Sequence, residues 1–237
     1  MTEEQIKIAL DDLRIIFGEA LNGHSLEIDF SWDISDKTIS EIGGRLIEDY
    51  VLTALPKHLE NQNINITGTI ESCTIPSSQR SMEDISFVWS SKDIKGKLLL
   101  LVDVKGHNET KKGSRPNLAS IRKCLELYSD ENRVNEEVII FFCRYIPIIV
   151  REDDKTKINY EILPDSFTES GIFLLRCLSE NNLDPADIGS GGQILFAREN
   201  DIVVVERTRE EFVEYLYSLI DYLDELKAKK RKDNGRK

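Results

Sequence analysis

The chain has 237 residues, 31 basic and 43 acidic side chains, and a hydrophobic content of 40%. That length supports a real core in one sizeable domain, and no window approaches the roughly 18 apolar residues of a membrane span. Four cysteines without C-x-x-C spacing and three scattered histidines exclude zinc clusters, a dense disulfide framework and an all-histidine zinc site. The acidic, polar start is not a signal peptide, so an intracellular, soluble protein is expected.

In chain order, residues 3–21 read as an amphipathic helix with Ile6, Leu10, Leu13, Ile16, Phe17 and Ala20 on one face, ended by Gly23. A second helix is expected over 36–55, beginning at Asp36, with Pro56 beyond its end. Residues 64–72 alternate as a strand, and 84–89 and 97–105 form two more, joined as a hairpin through 91–96. The run LLLLV at 98–102 is apolar on both faces and marks a central strand. A helix over 117–129 and a buried strand over 138–145 follow. Short strands are expected near 158–163, 193–197 and 202–206, with a closing helix at about 208–230. Trp32, Trp89 and the apolar runs near 139–149 read as core, and His107 as a surface residue. GSGGQ at 189–193 lacks a P-loop lysine and reads as a hairpin loop. The pattern is α/β (α+β): a central mixed sheet flanked by helices. No linker divides it, so a single domain over 1–226 is expected, with a basic, disordered tail over 227–237.

The net charge of −12 conceals two basic segments. Residues 105–123 carry six basic side chains against one acidic, and 227–237 carry seven against one. Elsewhere 18 basic side chains face 41 acidic ones. The terminal run is most simply a solvated helix end. The internal cluster follows residues that bear chemistry.

Side chains alternate along a strand, so Asp103 and Lys105 share a face about 7 Å apart. Asp84 opens the preceding strand, and an antiparallel hairpin brings it beside Asp103. Two converging carboxylates are costly without positive charge between them. A divalent cation and an adjacent lysine both supply it, and hard oxygen donors suit Mg²⁺. The loop that follows carries Lys111, Lys112 and Arg115, which can neutralise phosphates. Asn117 can either pair with a base edge or cap the next helix.

Asp84 followed by Asp103-Val104-Lys105 resembles the PD-(D/E)xK nuclease superfamily, with Glu83 where a proline is often found. Glu48, in GGRLIEDYVLTAL, stands where that family carries a helical glutamate. The segment DVKGHNETKKGSRPN is similar to the blunt-cutting type II restriction endonucleases of the HincII/EcoRV-like branch. Their pattern DVK-x2-N-x2-K-x4-PN falls on Asp103, Lys105, Asn108, Lys111, Pro116 and Asn117 without a gap. The likeness covers roughly residues 44–130.

It implies a restriction-endonuclease-like fold and Mg²⁺-dependent hydrolysis of double-stranded DNA, at a palindromic site and with blunt ends. Asp84 and Asp103 would hold the metal. Lys105 would activate water or stabilise the transition state, and Glu48 would support the site. Asn108, Lys111, Lys112, Ser114, Arg115 and Asn117 would contact DNA. Similar enzymes wedge a glutamine into the base stack at the Ser114 position; either Arg115 takes that part or the stack is not distorted there. The same likeness implies a homodimer in a prokaryotic cytoplasm, with a cognate DNA methyltransferase in the same system but not in complex. The alternatives are a repair nuclease or junction resolvase sharing the metal site, a DNA-binding module without catalysis, and a plain interaction domain.

Overall fold

The structure, a computed structural model, describes residues 2–61, 64–77, 81–91, 96–111, 116–186, 192–197 and 202–234. In chain order its helices and strands are α1 (Glu3–Leu21), β1 (Ser25–Phe30), α2 (Asp36–Asn61), β2 (Thr69–Thr74), β3 (Ile85–Ser90), β4 (Lys97–Asn108) and β5 (Asn117–Ser120). Then come α3 (Ile121–Tyr128), β6 (Glu136–Glu152), β7 (Lys155–Ile162), β8 (Ile172–Leu174), β9 (Leu183–Ala186), β10 (Gln193–Phe196) and α4 (Arg209–Asn234). This is the expected α/β architecture of a central mixed sheet with helices. Its residues group into two compact units, 1–113 with 137–174 and 114–136 with 175–237. Both units are discontinuous in sequence, so no single linker separates them.

The first unit is built on a seven-stranded sheet in the order β1-β7-β6-β4-β3-β2, with β8 also on β6. Helix α1 starts on a capping box: Gln5 N–H donates to Thr2 Oγ1 (3.3 Å) and Thr2 N–H to Gln5 Oε1 (2.9 Å). Its apolar stripe is fully buried at Leu13, Ile16 and Phe17. The Phe17 ring meets Phe141 at 4.5 Å and Phe87 at 5.9 Å, which fastens α1 to β6 and β3. One polar side chain interrupts the stripe. Asp12, 1% exposed, accepts from the N–H groups of Thr67 and Gly68 and from Trp89 Nε1, each at 2.8 Å. It holds the approach to β2 as irregular backbone, so the strand expected over 64–72 begins only at Thr69. Between β6 and β7, Asp153 and Asp154 take positive φ (49° and 61°), a two-residue hairpin turn without the usual glycine.

Helix α2 does not stop before Pro56 but runs through it to Asn61. An interior proline costs about 3 kcal/mol. Full burial of Ile47, Val51 and Leu55 holds the helix on the sheet and offsets that. Strand β1, not anticipated, alternates exposed and half-buried residues and pairs with β7, from Ser25 opposite Glu161 to Phe30 opposite Thr156. Trp32 is 60% exposed rather than core, and Ile148 and Val150 are also exposed, whereas Trp89 is buried as expected.

The second unit has a three-stranded sheet, β5-β10-β9, and the helices α3 and α4. Residues 117–120 are a strand paired with β10, not the first turn of a helix. The cap of α3 is Ser120, whose Oγ accepts from Lys123 N–H. Arg209 clasps α3, donating to the carbonyls of Leu127 (2.6 Å), Tyr128 (3.0 Å) and Glu136 (2.9 Å). The strand expected at 202–206 is reduced to a single bridge, Leu178 with Val204. Helix α4 continues through Asn234, so residues 227–234 of the expected disordered tail are helical. Among the described residues, no helix is long and apolar enough to cross a membrane.

Candidate active site

The hairpin of β3 and β4 sets the register on which the site depends. Ile85 lies opposite Val102, so the residue before Ile85 falls opposite Asp103. Asp84 N–H donates to the Val102 carbonyl at 2.9 Å. Its carboxylate Oδ2 accepts from Val104 N–H at 2.8 Å. The side chain is therefore fixed to the β4 backbone between Asp103 and Lys105. Lys105 Nζ lies 2.7 Å from Asp103 Oδ1, which confirms that both side chains leave the strand on one side.

Glu48 reaches the site from α2. Gly106 permits it: a Cβ there would stand 2.5 Å from the Gly44 carbonyl oxygen and 2.8 Å from its Cα. Helix and strand backbones thus touch where no side chain fits. One turn after Gly44, Glu48 Oε1 accepts from Gly106 N–H at 3.2 Å, with Arg45 Nη1 at 4.0 Å from Oε2. The four residues expected to carry catalysis, Asp84, Asp103, Lys105 and Glu48, are brought together by adjacent elements of one unit.

The site is drier than a strand end emerging from the core would be. Asp103 is only 5% exposed, and the Lys105 side chain is largely covered. Burial pushes the Asp103 carboxyl well above its usual range; the Lys105 ammonium opposes this, and the Asp84 carboxyl beside it reinforces it. Burial also raises Glu48, against the Gly106 N–H and the charge of Lys105, with Asp84 adding to the rise. For Lys105 burial disfavours the charge, but Asp103, Asp84 and Glu48 outweigh it and leave the ammonium held more firmly than usual. Three carboxyl groups face Lys105, with Arg45 beside Glu48 as the second cation. Among the described residues, no three acidic, histidine or cysteine side chains converge closely enough to hold a metal by themselves.

The expected DNA-contact residues divide. Asn108 is buried, and its Oδ1 accepts from Thr110 N–H (2.9 Å) and Thr110 Oγ1 (2.8 Å), shaping the turn after β4. Lys111 is exposed on that turn, its N–H donating to the Asn108 carbonyl. Lys112, Ser114 and Arg115 lie outside the described residues. Asn117 is exposed at the start of β5 in the second unit. His107 is not on the surface: its side chain is 10% exposed and its ring lies 4.5 Å from that of Phe142. Arg144 on β6 was not anticipated as part of this neighbourhood, although it is the one charge in the apolar run 138–149. Its Nε is 3.6 Å from Glu109 Oε1, and His107 Nε2 is 3.4 Å from the same oxygen.

No family model and no curated protein matches the sequence. Solved structures do match, among them an NlaIV restriction endonuclease, at 12% identity and a TM-score of 0.41, over 92% of this chain and 79% of that one. A likeness at this level bears on neither the reaction nor its site.

Proposed function

We propose that the chain is a Mg²⁺-dependent endonuclease that hydrolyses phosphodiester bonds in double-stranded DNA, as a type II restriction enzyme does. The observation that carries this reading is the set of Asp84, Asp103 and Lys105 at one sheet position, with Lys105 Nζ 2.7 Å from Asp103 and the Asp84 carboxylate fixed on the intervening backbone. The donor chemistry fits a hard divalent cation. Two carboxylates supply oxygen only, and the Asp84 charge beside Asp103 disfavours a second negative charge there, which a cation would relieve. Asp84 and Asp103 would hold the ion, with water and a phosphate oxygen completing its shell. When bound, Mg²⁺ neutralises phosphoryl charge and makes a coordinated water more acidic.

The chain's own residues do the rest. Lys105, kept cationic by three carboxyl groups, stands where it can orient the attacking water or stabilise charge on the phosphoryl oxygens. Glu48, anchored on Gly106 N–H, supports the strand at that point and adds its charge to those that hold Lys105 cationic. Lys111, exposed on the following turn, can track the DNA backbone, and Asn117 can read a base edge. Asn108 serves by shaping the turn from which Lys111 projects. Palindromic specificity calls for a twofold homodimer with one site per strand. Blunt ends and a cognate DNA methyltransferase in the same system, not in complex with this chain, belong to the same reading.

The test is digestion of unmethylated, phage-sized DNA by the full chain with Mg²⁺. Discrete fragments with mappable ends are expected, and a smear would mark a structure-directed nuclease instead. A folded protein that cleaves no duplex DNA in Mg²⁺ would overturn the proposal.

A further inference from the structure

The face of the sheet that carries the carboxylates continues beyond them. Along β4, Asp103, Lys105 and His107 alternate onto one side. The His107 ring lies on Phe142 with centroids 4.5 Å apart, so Phe142 of β6 is on that side as well. Arg144, two residues further along β6, therefore shares it. The guanidinium sits in an unusual state there. Its side chain is about four-fifths covered, and its Nε is buried without a hydrogen-bond partner among the described residues.

The nearest carboxylate is that of Glu109, at 3.6 Å from Nε, while a formed guanidinium–carboxylate bond closes to about 2.7–2.9 Å. An arginine cannot shed its charge to escape burial. A buried donor left unmade is costly, so a purely structural ion pair here would be expected to close. The cation is instead held near an anion without being consumed by it. His107 Nε2 approaches the same Glu109 oxygen at 3.4 Å. Two nitrogenous side chains thus converge on one carboxylate oxygen, as they would on a phosphate oxygen.

We infer that Arg144 is a phosphate-contact residue that receives a non-bridging oxygen of the backbone phosphate next to the one hydrolysed at Asp103 and Lys105, and that Glu109 occupies this place when no nucleic acid is bound. The inference rests on the nuclease reading and adds a second anion subsite to it. Lys105 and His107 are two strand residues apart, about 7 Å. That is a step of the same order as the distance between neighbouring phosphates on one strand. His107 supplies the floor of the subsite and Arg144 the permanent charge.

The test is equilibrium binding of duplex DNA in Ca²⁺, measured across a range of salt. Arg144→Gln should bind about ten- to a hundredfold more weakly, as loss of a charged hydrogen bond does. Its log K against log salt should be shallower by about one unit, and Arg144→Lys should restore the slope. Glu109→Gln removes the competing carboxylate and should bind more tightly than the parent chain, which keeps the test open if Arg144→Gln folds poorly. A parent chain that binds no duplex at all would sink the nuclease reading and this subsite with it. A parent chain that binds and cleaves, while Arg144→Gln keeps the parent salt slope or Glu109→Gln weakens binding, would overturn the subsite alone.

Discussion

Gly44 and Gly106 face each other across the contact of α2 with β4, yet replacing each with alanine should have opposite consequences. A methyl on Gly106 would sit 2.5 Å from the Gly44 carbonyl oxygen, 2.8 Å from its Cα and 3.0 Å from its carbonyl carbon. Carbon contacts relax at about 3.5–4.0 Å, so α2 must retreat by about 1 Å. Overpacking of that kind costs about 1–3 kcal/mol. At roughly 2–4 °C per kcal/mol for a chain of this size, Tm should fall by about 2–12 °C. The retreat also carries Glu48 away from Gly106 N–H, whose bond is already 3.2 Å long, and misplacement on this scale can slow cleavage by about a hundredfold. On Gly44 the added methyl would meet nothing closer than 3.4 Å, and alanine is better than glycine inside a helix by about 1 kcal/mol. Gly44→Ala should therefore keep its cleavage rate and match or exceed the parent Tm. Thermal melting beside initial cleavage rates in Mg²⁺ measures both. The reasoning fails if Gly106→Ala is as stable and active as the parent, or if Gly44→Ala is the more damaging of the two.

Lys105→Ala should lose at least about a hundredfold in cleavage while still binding duplex DNA in Ca²⁺; near-parent cleavage would contradict its assigned part. Asp12→Ala leaves Thr67 N–H, Gly68 N–H and Trp89 Nε1 without their acceptor and should cost about 3 kcal/mol or more in urea denaturation, whereas a loss under about 1 kcal/mol would show the staple to be dispensable. Asp103 and Glu48 are both raised, so the folded chain holds protons that the unfolded chain releases. Without divalent cations this contribution is present below the ordinary carboxylate range and is lost as pH rises through the elevated folded values. Asp103→Asn should remove part of that decline, and an unchanged pH profile of stability would refute the assignment. Asn117→Ala should weaken cognate binding by about 1–3 kcal/mol without lowering Tm, because Ser120 is the cap of α3; equal loss on cognate and unrelated DNA would move base reading elsewhere.

The convergence of Asp84 with Asp103 was legible because it needs only a hairpin and the two-residue period of strands, and the observed register supplies both. Glu48 was legible only through the likeness of its helix to one that carries a glutamate in the nuclease superfamily, and Gly106, which lets the helix approach, takes its meaning only from tertiary packing. What stayed hidden was non-local. Residues 117–120 suit a helix until β10 is known to lie beside them. His107 looks like a surface residue until Phe142 is placed under its ring. The burial of Asp103 is likewise invisible in a motif that only counts spacing. Pro56 misled for a related reason, since its local cost is outweighed by burial of neighbours that the helix alone does not see.

The discontinuity of the second unit sets an order of events on the ribosome. Ser120 of β5 pairs with Gln193 of β10, a partner that emerges about 4–15 s later at ordinary rates of synthesis. Throughout that interval the eight residues of α3 are too few to hold a helix alone, and the Arg209 that clasps them has not yet been made. The first unit, by contrast, has every strand of its sheet once Leu174 is translated. The nascent chain thus carries a finished carboxylate site before the segment bearing Asn117 has anything to fold against. A cell making this protein would briefly hold the half proposed to cut without the part proposed to choose where it cuts.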